Sequence, residues 1–139
     1  MKSSFATLAV CAALGLAACH QTPPTAAAPD PVAELKAFAA KLQGPDTPLV
    51  RADVRKTDSL TAPFTGTLSG QTFGHDKNVE INFYMKFTLG LDRREGKWEF
   101  RECTGTIDWT DGRGDLPFSE TSAEPHYASS MLEKLGLRH

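Results

Sequence analysis

The chain has 139 residues, with 15 Lys and Arg against 17 Asp and Glu, which gives a formal net charge of −2. That length fits one domain, on the usual range of roughly 100 to 200 residues. The slightly acidic balance, without clustered Lys and Arg, excludes the strongly basic surface of a nucleic-acid-binding domain. It also excludes strong attraction to anionic lipid headgroups, so any membrane attachment must have another origin.

The first 18 residues have the pattern of a secretory signal peptide. One positive charge, Lys2, precedes an apolar run from Phe5 to Ala18 that ends in small residues. As a helix this run would extend only about 21 Å, which is short of a hydrocarbon core of roughly 30 Å. We therefore predict that residues 1–18 are removed and do not persist as a membrane-spanning helix.

The tetrapeptide Leu16-Ala17-Ala18-Cys19 closely resembles the lipobox of bacterial lipoproteins. In that family a dedicated peptidase cleaves before the Cys, whose sulfur carries diacylglycerol and whose new amino group is usually acylated too. The resemblance implies a mature chain held in the lipid bilayer by acyl chains, palmitate among them, on Cys19, since two or more chains anchor stably. The alternative is an ordinary signal peptide with a Cys there by chance.

His20 occupies the position where lipoproteins retained in the inner membrane typically carry Asp. The family rule then implies the periplasmic face of the outer membrane. Cleavage would leave 121 of the 139 residues, with 14 Lys and Arg, because Lys2 is lost, against 17 Asp and Glu. The formal charge of the mature chain would thus be −3.

Residues 19–30 read as a lipidated Cys followed by a flexible tether. The segment from Gln21 to Asp30 contains three prolines and no large apolar residue, so it has no surface to bury. In an extended conformation it spans roughly 30 Å. Residues 31–139 then form the single folded domain.

The folded part is predicted to begin with a helix over residues 31–43. Asp30 is an N-cap followed by Pro31 at the first helical position, and apolar residues recur at helical spacing until Gly44-Pro45. After Pro48 the alternation changes to period two, which predicts a strand over residues 50–55.

Four further segments are predicted from alternation and turn residues. Asp58-Ser59 is a turn, residues 64–73 form a strand, and residues 74–78 form a loop. The clearest alternation runs from Val79 to Leu89 and predicts a central strand. Residues 93–96 turn the chain into a strand from Lys97, which continues to Trp109 if a bulge near Glu102-Cys103 reverses the alternation.

The C-terminal part is predicted to contain a loop over residues 111–115 and a last helix. Ser119 or Ser122 is the predicted cap of that helix, and Gly136 its end. The fold class is therefore α+β, a four- to five-stranded antiparallel sheet with an N-terminal and a C-terminal helix on one face.

Residues 56–66 and Gly96-Lys97-Trp98-Glu99-Phe100 weakly resemble a pattern of small bacterial envelope proteins of unknown function: a Thr-Asp-Ser-Leu turn, a Pro-aromatic pair, a Gly and a Gly-Lys-Trp hairpin. The resemblance implies a sheet and carries no activity to this chain.

Cysteine and histidine provide little sign of catalysis. Cys11 lies in the predicted signal peptide and the sulfur of Cys19 would carry lipid, so Cys103 would be the only free thiol of the mature chain. We interpret Cys103 as a buried residue near a strand bulge and not as a nucleophile. The four histidines have no metal-ligand spacing, and His75 beside Asp76 favours a solvated loop. We therefore predict no catalytic residues, no metal ligands and no cofactor.

The stretch from Asp108 to Asp115 has three carboxylates near two glycines, which invites a calcium-loop reading. It lacks the acidic spacing of an EF-hand, and Arg113 introduces a positive charge, so a turn is the simpler interpretation. Arg113-Gly114-Asp115 also resembles the integrin-binding tripeptide of adhesion proteins, which leaves a surface adhesin as one alternative function.

The main functional hypothesis is a non-catalytic binding or assembly module tethered to the cell envelope, with an envelope protein as a partner and no nucleic acid. The predicted binding surface is the sheet face opposite the helices, with Tyr84, Lys86, Asn82 and Arg51. A second alternative is a small periplasmic enzyme or ligand-binding protein, which would require His75, Asp108 or Glu102 to converge in a pocket between sheet and helix.

Overall fold

The structure is a computed structural model, and it describes residues 28–137. The described elements are helix α1 (Pro31–Leu42), strands β1 (Leu49–Lys56), β2 (Phe64–Asp76), β3 (Ile81–Arg94), β4 (Lys97–Trp109) and β5 (Gly114–Thr121), and helix α2 (Ser129–Leu135). The predicted signal peptide, the predicted lipobox and most of the predicted tether lie outside the described residues. Neither described helix has the length and hydropathy needed to cross a bilayer.

The five strands form one antiparallel sheet in the order β1-β2-β3-β4-β5, so each strand pairs with its sequence neighbours. Both helices pack on the same face, α1 over β1 and β2 and against α2. The predicted α+β class is confirmed, as is the central position of the strand with the clearest alternation. We call the face that the helices leave uncovered the open face.

Helix α1 forms where capping and apolar spacing agree. The Asp30 side chain accepts a hydrogen bond from the Val32 backbone N–H at 3.1 Å, and Pro31 supplies a preset φ at the first position. Leu35, Ala39 and Leu42 are buried on one stripe. Gln43 has an extended conformation and ends the helix one residue before the predicted boundary.

The core is built on alternate residues of β3. Their side chains point toward the helices and are almost completely buried: Phe83, Met85, Phe87, Leu89 and Leu91. Each buried aliphatic or aromatic side chain of this kind contributes about 1.5 to 3 kcal/mol by its removal from water. The residues between them, from Asn82 to Thr88, are exposed on the other side of the sheet, which fixes the register and leaves the open face polar.

The predicted bulge in β4 is confirmed. Leu91 pairs with Phe100 and Gly90 pairs with Glu102, so Arg101 is the extra residue opposite the step from Gly90 to Leu91. The extra residue reverses the alternation of inward and outward side chains, so that apolar side chains on both sides of the bulge point toward the core. Trp98 and Phe100 precede the bulge, and Ile107 follows it.

An ion pair links α1 to the far end of β3. Arg93 Nε donates to Glu34 Oε2 at 3.1 Å and Arg93 Nη2 donates to Oε1 at 3.2 Å. The side chains are only 11% and 29% exposed, because Arg93 occupies a core-facing position in β3. The first turn of α1 is thereby fixed beside the β3–β4 hairpin, whose turn residues Glu95 and Gly96 both have positive φ, at 51° and 76°.

Four details differ from the sequence predictions. Arg93 and Arg94 belong to β3, so the turn predicted over residues 93–96 is confined to Glu95 and Gly96. Residues 74–76 extend β2, so the turn is confined to residues 77–80. Residues 114–121 form a fifth strand, whose bounds the sequence pattern did not indicate. The predicted caps of the last helix are wrong, since Ser119 lies in β5 and Ser122 in the following turn. Ala128 is the N-cap residue and makes no side-chain capping bond; the Glu120 carboxylate accepts hydrogen bonds from the Tyr127 and Ala128 backbone N–H groups at 2.6 and 3.1 Å and so fixes the turn that leads into the helix. Gly136 ends the helix in the left-handed region, as predicted.

Candidate functional site

The four predicted surface residues all belong to the open face. Tyr84, Lys86 and Asn82 are alternate, exposed residues of β3, and Arg51 is an exposed residue of β1. The register aligns Lys86 with Gln71 of β2. Tyr84, Lys86 and Arg51 thus lie in one region of the sheet, at the end where β2 and β3 are joined.

Tyr84 forms an aromatic pair with Phe73, its cross-strand partner on β2. The ring centroids are 5.0 Å apart with an interplanar angle of 61°. Such edge-to-face pairs contribute about 0.5 to 1.5 kcal/mol beyond the area they bury. Tyr84 is nevertheless 58% exposed and Phe73 39% exposed. Two large rings left this accessible on a polar sheet face are typical of a contact surface.

The aromatic pair borders a depression of about 290 Å³, which we call the ring depression. Its opposite wall is the tight turn between α1 and β1, closed by two hydrogen bonds of 3.1 Å between the Gly44 and Thr47 backbones. The lining is made of side chains from that turn and from β2 and β3: Pro45, Asp46, Pro48, Gln71, Thr72, Phe73 and Tyr84.

The wall of the ring depression is attached to the sheet at two points. The Phe73 backbone N–H donates to the Asp46 carbonyl at 2.8 Å, and the Thr47 hydroxyl bonds the Thr72 hydroxyl at 3.1 Å. Thr47 is only 3% exposed, so its bond to Thr72 is partly shielded from water. The two prolines therefore stand at a fixed distance from the aromatic pair, and the depression is preformed.

A second depression, of about 350 Å³, adjoins the first through Gln71, and we call it the cationic depression. Arg51 and Lys86 are its two charged side chains, and its remaining lining comes from β1 and β2: Leu49, Val50, Ser69, Gly70 and Gln71. Arg51 contacts Asp53 at 3.0 Å on the exposed surface. Lys86 forms no ion pair with any residue in the described range 28–137.

The two flanks of the aromatic pair carry opposite charges. Lys86 and Arg51 lie toward β1, whereas Asp108 is the cross-strand neighbour of Tyr84 on β4 and Asp115 pairs with Asp108 on β5. A ligand that lies across the sheet from β1 to β5 would therefore meet positive charge on the β1 side of the aromatic pair and negative charge on the β5 side. Such a gradient orients a polar ligand without strong net attraction.

The residues considered for acid–base chemistry do not converge between sheet and helix. The register places His75, Asp108 and Glu102 on the open face. Asp108 and Glu102 are also six positions apart on β4, about 20 Å along a strand. Exposed hydrogen bonds to Asn82 at 2.8 Å and Glu80 at 3.0 Å hold the His75 ring and raise its pKa.

A cleft of about 270 Å³ near the N-terminus of α2 collects other polar side chains. His75 and Asp76 line one side of it, and His126, Tyr127 and Ser129 line the other. Burial, followed by the charges of Asp76 and Glu120, raises the pKa of Tyr127. The Ser129 hydroxyl donates to the Pro125 carbonyl at 2.9 Å, so the serine is used to close the turn before α2.

Cys103 is completely buried on β4, as the sequence indicated for a residue near the bulge. Burial, with a smaller contribution from the Glu120 carboxylate, raises the pKa of its thiol to about 12. Since the thiolate is the reactive form, this thiol is inert at neutral pH.

The loop after β4 has its own internal contacts. Arg113 pairs with Asp111, and its guanidinium lies 5.4 Å from the Trp109 ring centroid. Gly114 and Asp115 belong to β5, so the Arg113-Gly114-Asp115 tripeptide crosses from a turn into a paired strand. Between residues 28 and 137 no group of three His, Cys, Asp or Glu side chains is placed to hold a metal ion.

Sequence reasoning missed Phe73 and the two prolines of the ring depression. Phe73 follows a Thr- and Gly-rich stretch without clear alternation, so only its register with Tyr84 shows that it faces solvent. Compared with protein-family models, curated proteins and solved structures, the chain matches none of them.

Proposed function

We propose that this chain is a lipid-anchored, non-catalytic binding module of the bacterial cell envelope, and that the open face around Tyr84 holds an envelope protein. The observation that carries the proposal is the preformed pair of depressions around the exposed Phe73–Tyr84 pair. The lipobox tetrapeptide ending at Cys19 supports the anchor.

The direction of the chain supports a site that points away from the bilayer. Glu34, in the first turn of α1, contacts Arg93, so the tether joins the domain at the β3–β4 hairpin end. Tyr84 is nine positions earlier on β3, about 30 Å along the strand. A tether of roughly 30 Å at one end and a site at the other suit capture of a partner across the periplasm.

The geometry favours binding over catalysis. Both depressions are open to solvent, and their linings combine aromatic, proline and aliphatic side chains with a few polar and charged ones. Covalent hydrolysis through a side-chain nucleophile uses a nucleophile and a base in mutual hydrogen-bond contact. Around these depressions the described side chains supply aromatic contact area and hydrogen-bonding groups, which are the components of a recognition surface.

Site-specific photo-crosslinking in intact cells tests the binding role. A photoreactive amino acid in place of Tyr84 should trap one identifiable envelope protein, and adding Lys86→Glu should weaken that product. The matched control position is Lys134, which is exposed on the helix-covered side. Equal crosslinking from both positions, or products with bulk neighbours only, would refute a specific site on the open face.

The anchor has a separate test. The Cys19→Ala chain should fail to incorporate labelled palmitate and should leave the membrane fraction, whereas wild type should follow the outer membrane in a density gradient. A Cys103→Ala chain is the control for loss of a thiol. Retained label in Cys19→Ala would show that the acyl chain is elsewhere.

A further inference from the structure

We propose that the partner segment held by this site is an extended peptide with a proline two positions away from an acidic residue. The inference rests on the binding role proposed above, and it specifies the chemistry of the ligand. The inference is based on the order of features along the site, where the ring depression adjoins the cationic depression through Gln71.

The ring depression suits a proline ring. Its lining contains two aromatic side chains and two prolines beside Asp46 and Thr72, and it includes the Tyr84 hydroxyl and the Gln71 amide, which can donate hydrogen bonds. Proline-rich segments dock in aromatic-lined grooves because their extended helix is preformed and its carbonyl groups are free to accept hydrogen bonds. The angle of 61° between the Phe73 and Tyr84 rings produces a notch, whereas a sugar ring stacks on a flat platform.

The cationic depression suits a carboxylate. Arg51 and Lys86 are the charged groups that line it, and no acidic side chain lines it. Arg51 already contacts Asp53, whereas Lys86 has no ion pair with any residue between 28 and 137, so Lys86 is the group that a ligand carboxylate would meet. A hydrogen bond between its ammonium and a carboxylate is charge-assisted and about twice as strong as a neutral one. Charge complementarity therefore selects Asp or Glu over Lys or Arg at this point of the ligand.

The spacing of the two depressions sets the spacing in the ligand. Tyr84 and Lys86 are alternate residues on one face of β3, so their backbones are about 7 Å apart. In a ligand with β-like extended backbone, residues two apart point to the same side and are also about 7 Å apart, so a separation of two residues matches this distance. The ligand pattern is thus proline, any residue, acidic residue, in either chain direction.

The chain's own tether does not carry this pattern. Its prolines at positions 23 and 24 have no Asp or Glu within two residues, and Asp30 already caps α1. A membrane surface is also a poor fit, because Asp108 and Asp115 border the aromatic pair and repel anionic headgroups. The site therefore selects a segment of another protein.

Titration of the purified full chain with synthetic peptides tests the inference. The probe is the peptide Ala-Pro-Pro-Ala-Glu-Pro-Ala with both ends blocked. Its binding is measured by calorimetry and by the NMR shift changes of the β2 and β3 backbone amides. Control peptides replace Glu with Lys or all prolines with Ala, and a third copies residues 22–28. We expect the probe to bind at least tenfold more tightly than each control.

Protein variants localise the effect. Tyr84→Ala should weaken probe binding at least tenfold, and Lys86→Glu should reverse the preference, so that the Lys peptide binds better than the Glu peptide. Thr104→Ala, a change on the same face away from both depressions, should leave affinity unchanged. Circular dichroism should confirm that each variant is folded.

Two outcomes would overturn the inference. Equal affinity for the probe and its controls would exclude recognition of proline and acid, as would probe binding that survives Tyr84→Ala and Lys86→Glu together. Binding of vesicles with anionic lipid through Tyr84, without peptide binding, would identify a membrane contact instead. If crosslinking from position 84 still captures one protein while the peptides fail, the binding role stands and only the ligand chemistry is wrong.

Discussion

Removal of the Glu34 carboxylate should destabilise the domain much more than removal of the Arg93 charge. Glu34→Ala leaves a guanidinium that is 11% exposed with the Gly96 carbonyl, 3.4 Å away, as its remaining described partner. Loss of one partner of a fully buried pair costs roughly 3 to 5 kcal/mol, and the partial exposure of Glu34 reduces the expected cost here to about 2 kcal/mol. Arg93→Met leaves a carboxylate that reaches water, with an expected cost of about 1 kcal/mol.

Urea unfolding followed by Trp fluorescence measures these costs, because Trp98 is the cross-strand neighbour of Arg93. The double variant should be less destabilised than the sum of the single variants, with a coupling energy of about 1 to 2 kcal/mol. An additive cycle, or a Glu34→Ala cost within about 0.5 kcal/mol of wild type, would refute a stabilising contact between α1 and β3.

Three further outcomes can be measured on the same protein. The pKa of the Cys103 thiol is about 12 in the native state, whereas an unfolded thiol ionises near 9.0. The free energy of unfolding should therefore fall as pH rises between these two values, and Cys103→Ala should remove this contribution to the pH dependence. Gly66→Val should cost about 2 kcal/mol in thermal unfolding, because an added Cβ meets two side chains at 2.9 Å, while Gly44→Ala in open space should cost almost nothing. An NMR titration should give His75 a pKa above 6.5 that falls in Asn82→Ala, and an unchanged value would contradict the hydrogen bond.

Much of the sheet could be predicted because local alternation and burial agree. Side chains from Phe83 to Leu89 alternate without interruption, as expected for a central strand with one face in the core. The bulge at Arg101 could be anticipated because Trp98 and Ile107 must both face inward although their separation is odd. In both cases the evidence lay within one strand.

The missed features depend on contacts between distant segments. The turn that leads into α2 is held by the Glu120 carboxylate, which lies in a strand and accepts hydrogen bonds from backbone groups seven and eight residues later. The wall of the ring depression depends on the bond from Phe73 to Asp46, which links two segments without a shared pattern. Such details follow from tertiary packing, and the exposed residues of the site had no periodicity that distinguished them from a solvated face.

The sequential strand order has a consequence for how the chain acquires its structure. Every strand pairs with the strand before or after it, so the sheet grows by successive local hairpins and requires no long loop closure. The contact between α1 and α2 is different, because it joins the two ends of the domain. Docking of the C-terminal helix therefore completes the core only after the last strand has emerged, and a chain truncated before Ser129 would expose the buried row of β3 to aggregation.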